Sequence, residues 1–147
     1  MKMNTDLKKA IETIKSDDSL TCVLCKDAEI FTSRERGVAP LLGLIEKGRL
    51  SPGFSAADKV VGKAAAFLYA ILKVENVYAF VISEGAKKVL TDYGIHFECK
   101  ESAEYIINRK GDGMCPIEAS VMDSSNAEQA LAAVRQKLSR LSKRTEN

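Results

Sequence analysis

The chain has 147 residues, 46% of them hydrophobic, which suits one globular domain with a continuous core. Its 22 Lys and Arg against 20 Asp and Glu leave a formal charge of +2, and the basic excess gathers between Arg135 and Arg144 rather than in a stripe able to track nucleic acid. The longest near-continuous apolar run, Val60 to Val74, is interrupted by Lys63 and Lys73 and is too short for a bilayer, and the N-terminus is too polar for a signal peptide, so a cytoplasmic protein with no nucleic-acid or membrane partner is expected.

Leu7, Ala10, Ile11 and Ile14 recur at helical spacing and predict an amphipathic helix over about 5–15, ended by Asp17 and Asp18. Leu20 to Leu24 and Ala28 to Thr32 are β-rich runs joined at Cys25-Lys26-Asp27, the pattern of a hairpin. Pro40 opens a helix through Glu46, closed by Gly48. After the turn Ser51-Pro52-Gly53, Ser55 with Asp58 reads as a capping box for a long helix over about Ala56 to Lys73, apolar almost all round and therefore buried. Asn76 to Ser83 predicts an apolar strand, Gly85 to Tyr93 a helix and Ile95 to Cys99 a short strand, together a βαβ crossover. Ser102 to Asn108 is expected to be helical, and Ser125 with Glu128 to cap a last amphipathic helix over about 126–141. The sum is a single α/β domain over 1–147 with its core at about 20–122, a three-layer α/β/α sandwich around a mixed sheet.

Four cysteines at irregular spacing, in a chain with an ample core, read as free thiols. Cys22 and Cys25, three apart along a strand, point to opposite faces and cannot share a metal ion. His96 is the only histidine; set between Ile95 and Phe97 in a strand, with no Ser-His-Asp or Cys-His spacing, it reads as a surface or edge-strand residue.

Two segments carry more constraint than structure requires. In a helix over 56–73, Lys59 and Lys63 would leave one face near the N-terminus. Cations there oppose the helix dipole by roughly 0.3–1 kcal/mol each, and a glycine inside a helix costs about 1 kcal/mol relative to alanine. An anion at the helix start would reverse that penalty, held by backbone N–H groups and both lysines, with Gly62 allowing close approach. The structural alternative has Asp58 as cap, Lys59 paired with a carboxylate, Gly62 under a crossing helix and Lys63 snorkelling. The segment is not a P-loop, since Gly53 and Gly62 stand too far apart and Ala64 replaces the Mg²⁺-binding Ser or Thr. In the second segment, Gly111 to Glu118, Pro116 reads as the first residue of a short helix with Cys115 as its cap, a position that lowers a thiol pKa. Glu118 falls in the first turn, where a carboxylate is favoured and can also act as acid or base. A rigid turn with a buried thiol and a capping Glu is the structural alternative.

The order hairpin, buried helix, strand, helix, strand is similar to the cytidine-deaminase-like fold. The combination of Asp58-Lys59 with Gly62-Lys63, the strand ending at Ser83, and Asn108-Arg109 followed by Gly113-x-Cys115-Pro116-x-Glu118 resembles an uncharacterised bacterial and archaeal family of unknown function placed within that fold. The resemblance spans about Leu20 to Glu118 and implies a fold without an established activity. True deaminases hold zinc with a His or Cys at the start of the buried helix, beside a catalytic Glu, and with two Cys in a Pro-Cys-x-x-Cys turn. Here the corresponding positions read Asp58-Lys59 and Ser83-Glu84-Gly85-Ala86, so no metal and no cofactor is expected. Some relatives of the fold, such as the formyl-transfer domain of purine synthesis, work without catalytic zinc.

These readings predict a small-molecule binding protein, for a nucleotide or other phosphorylated metabolite, with Asp58, Lys59, Gly62, Lys63, Ser83, Asn108, Gly113, Cys115 and Glu118 as ligand-binding residues. A zinc-independent enzyme using Lys59 or Lys63 with Glu118 or Cys115 for proton or group transfer is the alternative. A protein-interaction module built on the C-terminal helix is the third, and self-association as a homo-oligomer is left open. The first reading requires Asp58 to Lys63 to lie beside Asn108 to Glu118 around one pocket.

Overall fold

Helix α1 (Thr5–Ser16) turns Leu7, Ala10 and Ile14 to one side and buries all three, as their spacing requires. The structure, a computed structural model, describes residues 5–48, 50–108 and 110–146, with side chains as far as Leu141; Arg109 and the side chain of Arg144 lie outside it. The hairpin follows as β1 (Cys22–Lys26) and β2 (Glu29–Ser33), shifted along the chain from its expected place. Asp27 explains the shift: it takes a positive φ of 54°, which Asp tolerates, and the reversal falls at Asp27-Ala28. Helix α2 (Ala39–Lys47) has Pro40 in its first turn and ends at Gly48 in the left-handed conformation, φ 60°.

The segment expected as one helix over 56–73 divides at Gly62 into strand β3 (Ser55–Val61) and helix α3 (Lys63–Leu72). β3 is hydrogen-bonded on both edges, antiparallel to β1 and parallel to β4 (Asn76–Ser83), and Ala56 and Ala57 are fully buried on opposite faces of it. A strand buried on both faces shows no alternation and cannot be told from a buried helix by periodicity, and ladder bonds on both sides override the helical preference of alanine. The expected Ser55–Asp58 capping box does not form; the Ser55 hydroxyl accepts from Asn76 Nδ2 at 3.1 Å.

After β4 come α4 (Glu84–Asp92) and β5 (His96–Ala103). The helix expected over Ser102 to Asn108 is absent, because pairing with β4 continues to Ser83↔Ala103 and keeps the chain extended. A bridge between Ile107 and Met114 then closes the glycine-containing loop ahead of α5 (Pro116–Ser120). The last helix, α6 (Ala127–Glu146), is capped one residue later than expected: Asn126 Oδ1 accepts from Gln129 N at 2.9 Å, and Gln129 Oε1 accepts from Ser125 N.

The strands form one mixed sheet in the order β2-β1-β3-β4-β5. Ala10 and Ile14 of α1 pack on Val23, Cys25 and Ala57 on one face. On the other, α2, α3, α4 and α6 cover Cys22, Leu24, Ala56, Val77 and Ala79, completing three layers. Cys22 and Cys25 thus belong to opposite faces, all four cysteines are free, and His96 is exposed at the start of edge strand β5. Among the described residues no helix is long and apolar enough to cross a membrane.

Candidate functional site

The pairing Cys22↔Asp58 sets the start of β1 beside the middle of β3, whose last residues run on past it to Val61. At this end of the sheet the chain enters β1 from α1, packed on one face, and leaves β3 into α3, packed on the other. Such a divergence opens a crevice at the strand ends, the usual place for a ligand in an open α/β sheet. Here β1 is antiparallel, so its beginning, not its end, forms one wall. The crevice holds a cavity of about 380 Å³ between Thr21 and Cys22, the stretch Arg36 to Val38, Asp58 to Val60, the first turn of α3, and Ile106 to Glu118. A wider hollow of about 650 Å³ shares Arg36, Ile107, Cys115 and Ile117 with it and extends to Asn108 and Leu138.

Asp58, Lys59, Gly62, Cys115 and Glu118 all line the cavity, so the two constrained segments of the sequence do meet. The anion at the start of α3, however, is the protein's own. Glu118, 5% exposed, accepts from Lys63 N through Oε2 and from Ala64 N through Oε1, both at 2.8 Å. Gly62 has ordinary extended backbone, φ −97°, and a Cβ placed on it would lie 2.4 Å from the Glu118 carboxyl carbon. Glycine is thus needed there for close approach, not for an unusual dihedral. With both oxygens engaged, Glu118 caps the start of α3.

Lys59 and Lys63 do not share a helix face, since Lys59 lies on β3. Its ammonium donates to the Asp18 carbonyl, while Lys63 Nζ donates to the Met122 carbonyl at 2.8 Å and lies 6.0 Å from the centre of the Phe67 ring. Lys63 does not line the cavity, nor does Ser83, whose buried hydroxyl caps α4 by accepting from Ala86 N. Asn108 orders its own loop, its Oδ1 accepting from Gly111 N and Asp112 N, and reaches only the wider hollow. Gly113 lines neither hollow; its carbonyl accepts from Asn108 N at 2.8 Å. Cys115 stands before Pro116 at the start of α5, half-buried, with no side-chain cap bond, and faces both hollows.

Because both ammonium groups tie segments together, Lys59→Met with Lys63→Met is expected to lower stability by roughly 1–2 kcal/mol, the usual size of two partly exposed hydrogen bonds. Urea denaturation reads this; a double variant as stable as the parent contradicts the tethering role.

Asp58 is the group whose role the sequence concealed. Its Oδ2 accepts from the Tyr69 hydroxyl at 2.6 Å and its Oδ1 from Val60 N at 3.2 Å, while Cys22 Sγ lies 3.4 Å from the same hydroxyl. Burial pushes the Asp58 carboxyl up to about 7, against the lowering effect of those hydrogen bonds. Burial first, and the charge of Asp58 second, push the Cys22 thiol and the Tyr69 phenol well above their usual values, so both stay neutral at physiological pH. The first turns of α3 and α4 carry no His or Cys, and the described residues include no group of three His, Cys, Asp or Glu placed to hold a metal ion.

A three-layer α/β domain with a crevice at its β1/β3 divergence defines the class. The chain belongs to the DUF1893 family, a domain of unknown function, whose model matches residues 9–138. It is similar to the crystal structure, at 2.70 Å resolution, of the DUF1893 family protein TM1506 from Thermotoga maritima, with a TM-score of 0.80 and 28% identity over 95% of this chain and 92% of that one. A comparison with curated proteins finds no match.

Proposed function

We propose that this domain binds a small molecule in the β1/β3 crevice, a nucleotide or other phosphorylated metabolite whose flat apolar part enters the cavity while its anionic end stays at the rim. The observation that carries this reading is Asp58, a buried carboxyl titrating near neutrality on the wall of a largely apolar cavity at the strand divergence. Apolar hollows with a few convergent polar groups and a perturbed titratable residue are where ligands bind. Since Glu118 closes the start of α3, the phosphate falls to Arg36, exposed at the rim and without an ion-pair partner among the described residues. The reading takes 1–147 as one cytoplasmic domain of cytidine-deaminase-like architecture, supported by the hairpin followed by two parallel crossover units, and it requires neither metal nor cofactor.

The enzymatic alternative moves from Lys59, Lys63 and Glu118 to Asp58. A buried carboxyl that exchanges its proton near pH 7, with the thiol of Cys115 lining the same cavity, is suited to general acid–base work. Incubation of a bound nucleotide with the protein separates the two readings, because binding alone returns the ligand unchanged.

Thermal-shift screening with nucleoside mono-, di- and triphosphates and with inorganic phosphate tests the binding reading. A true ligand stabilises the fold by roughly 2.7 kcal/mol at a hundred times its dissociation constant. Arg36→Gln is expected to weaken that response and Lys63→Met to leave it intact. The reverse pattern places the anion at the start of α3, and no response to any nucleotide at millimolar concentration removes the nucleotide reading.

A further inference from the structure

The chemistry of the cavity narrows the ligand class, an inference that rests on the binding reading above. Two carboxylates stand on the wall, and they differ in what they have left to offer. Both oxygens of Glu118 are held by α3. Asp58, 8% exposed, receives the Tyr69 hydroxyl on one oxygen and the Val60 N–H on the other, with the Lys59 N–H also directed at the carboxyl, and has no Lys, Arg or His side chain within ion-pair distance among the described residues. A carboxylate has about four acceptor positions, so capacity remains, and a buried carboxylate without an internal cation is the partner that a ligand cation compensates. The surrounding wall of Val38, Val60, Ala64, Ala65, Ile106 and Ile107 suits a flat body and offers nothing to an anion.

We propose that the cavity takes a ligand with an amidine-type edge, two N–H donors on one carbon as in an amidine, a guanidine or the protonated edge of an aminopyrimidine, and that Asp58 is the acceptor that anchors it. Paired N–H donors match the two oxygens of a carboxylate and give short charge-assisted hydrogen bonds. A nucleotide with an amino-substituted base satisfies both ends of the crevice, its base edge at Asp58 and its phosphate at Arg36.

The groups facing Asp58 are Cys22 from β1, Tyr69 from α3, the neighbouring Lys59, Arg36 from the stretch before α2, and Cys115 with Glu118 across the cavity. Cys22 and Tyr69 are held neutral, Lys59 is turned to the Asp18 carbonyl, and His96 lies on the far edge strand. Between pH 5 and 8 the ligand edge therefore meets the titration of Asp58, and a permanently cationic edge requires the ionised form. Affinity should fall as pH drops through 7, roughly tenfold per unit below it.

The probe is benzamidine, titrated into the full ¹⁵N-labelled chain at pH 8 and pH 5.5 and followed by amide chemical shifts. Shifts centred on Cys22, Lys59 and Cys115, a dissociation constant at least tenfold weaker at pH 5.5, and a loss of at least tenfold at pH 8 in Asp58→Asn are expected. Shifts elsewhere, or an affinity indifferent to pH in the parent chain, overturn the proposal, and the pH comparison holds whatever the variant does. A nucleotide that shifts the cavity amides equally in the parent and in Asp58→Asn overturns the anchor but leaves the binding reading. If neither benzamidine nor any nucleotide shifts those amides, both fail.

Discussion

Gly62→Ala is expected to destabilise the protein by roughly 2–4 kcal/mol, far more than a glycine-to-alanine change in extended backbone ordinarily does. The methyl group itself is tolerated by the backbone, whose φ of −97° any residue adopts. What it displaces is the Glu118 carboxylate, 2.4 Å from the new carbon, and with it the two 2.8 Å bonds to Lys63 N and Ala64 N. Hydrogen bonds to a charged acceptor contribute about 1.5–3 kcal/mol each, and the displaced carboxylate can recover only part of that in solvent. Placing Gly62→Ala in a Glu118→Ala background should leave a cost below about 0.5 kcal/mol, since nothing remains to collide with. A double-mutant cycle by urea denaturation measures the coupling; equal costs in both backgrounds would show that Gly62 is required for some other reason.

The second large effect is a pH dependence. Asp58 titrates near 7 in the fold against an ordinary 3.8, so the native state holds its proton more tightly than the unfolded chain does. Its contribution to stability is fully present below about pH 4 and is lost as pH rises through 7. Between pH 5 and pH 8 the protein should lose roughly 2–3 kcal/mol from this group. Asp17 runs the other way: its hydrogen bonds with Ser19, and then Arg34, lower it to about 2, so its contribution is lost only as pH falls from about 4 toward 2. Urea midpoints of the parent should therefore fall between pH 5 and pH 8, and those of Asp58→Asn should stay nearly level. A parent protein equally stable at both pH values would mean that the Asp58 carboxyl is not desolvated.

Asp58 also marks the boundary of what could be read without the structure. The outer elements were legible because their signals are local: the Leu7, Ala10, Ile14 stripe for α1, Pro40 and Gly48 around α2, the apolar run Asn76 to Ser83 for β4. β3 was hidden because Ser55-Ala56-Ala57-Asp58 favours a helix locally, and only its neighbours on both edges make it a strand. Losing β3 moved Lys59 and Gly62 onto the wrong element while leaving their nearness to Cys115 and Glu118 visible, since each segment carried residues that local helix stability does not explain. Tyr69, Cys22 and Arg36 gave no sign. Their place at the crevice depends on the register Cys22↔Asp58 and on the face α3 turns to the sheet, both set by contacts distant in sequence. The Glu118 cap was out of reach for the same reason, because its partners lie 54 and 55 residues away.

One crystal structure bears most directly on the crevice as a ligand site, that of the protein with whichever nucleotide gives the largest thermal shift. Ligand density is expected between β1, β3 and the Ile106 to Glu118 segment, with the base edge at Asp58, the phosphate at Arg36 and Glu118 still seated on the start of α3. Density over the start of α3 with Glu118 displaced, or bound away from the crevice altogether, would contradict it.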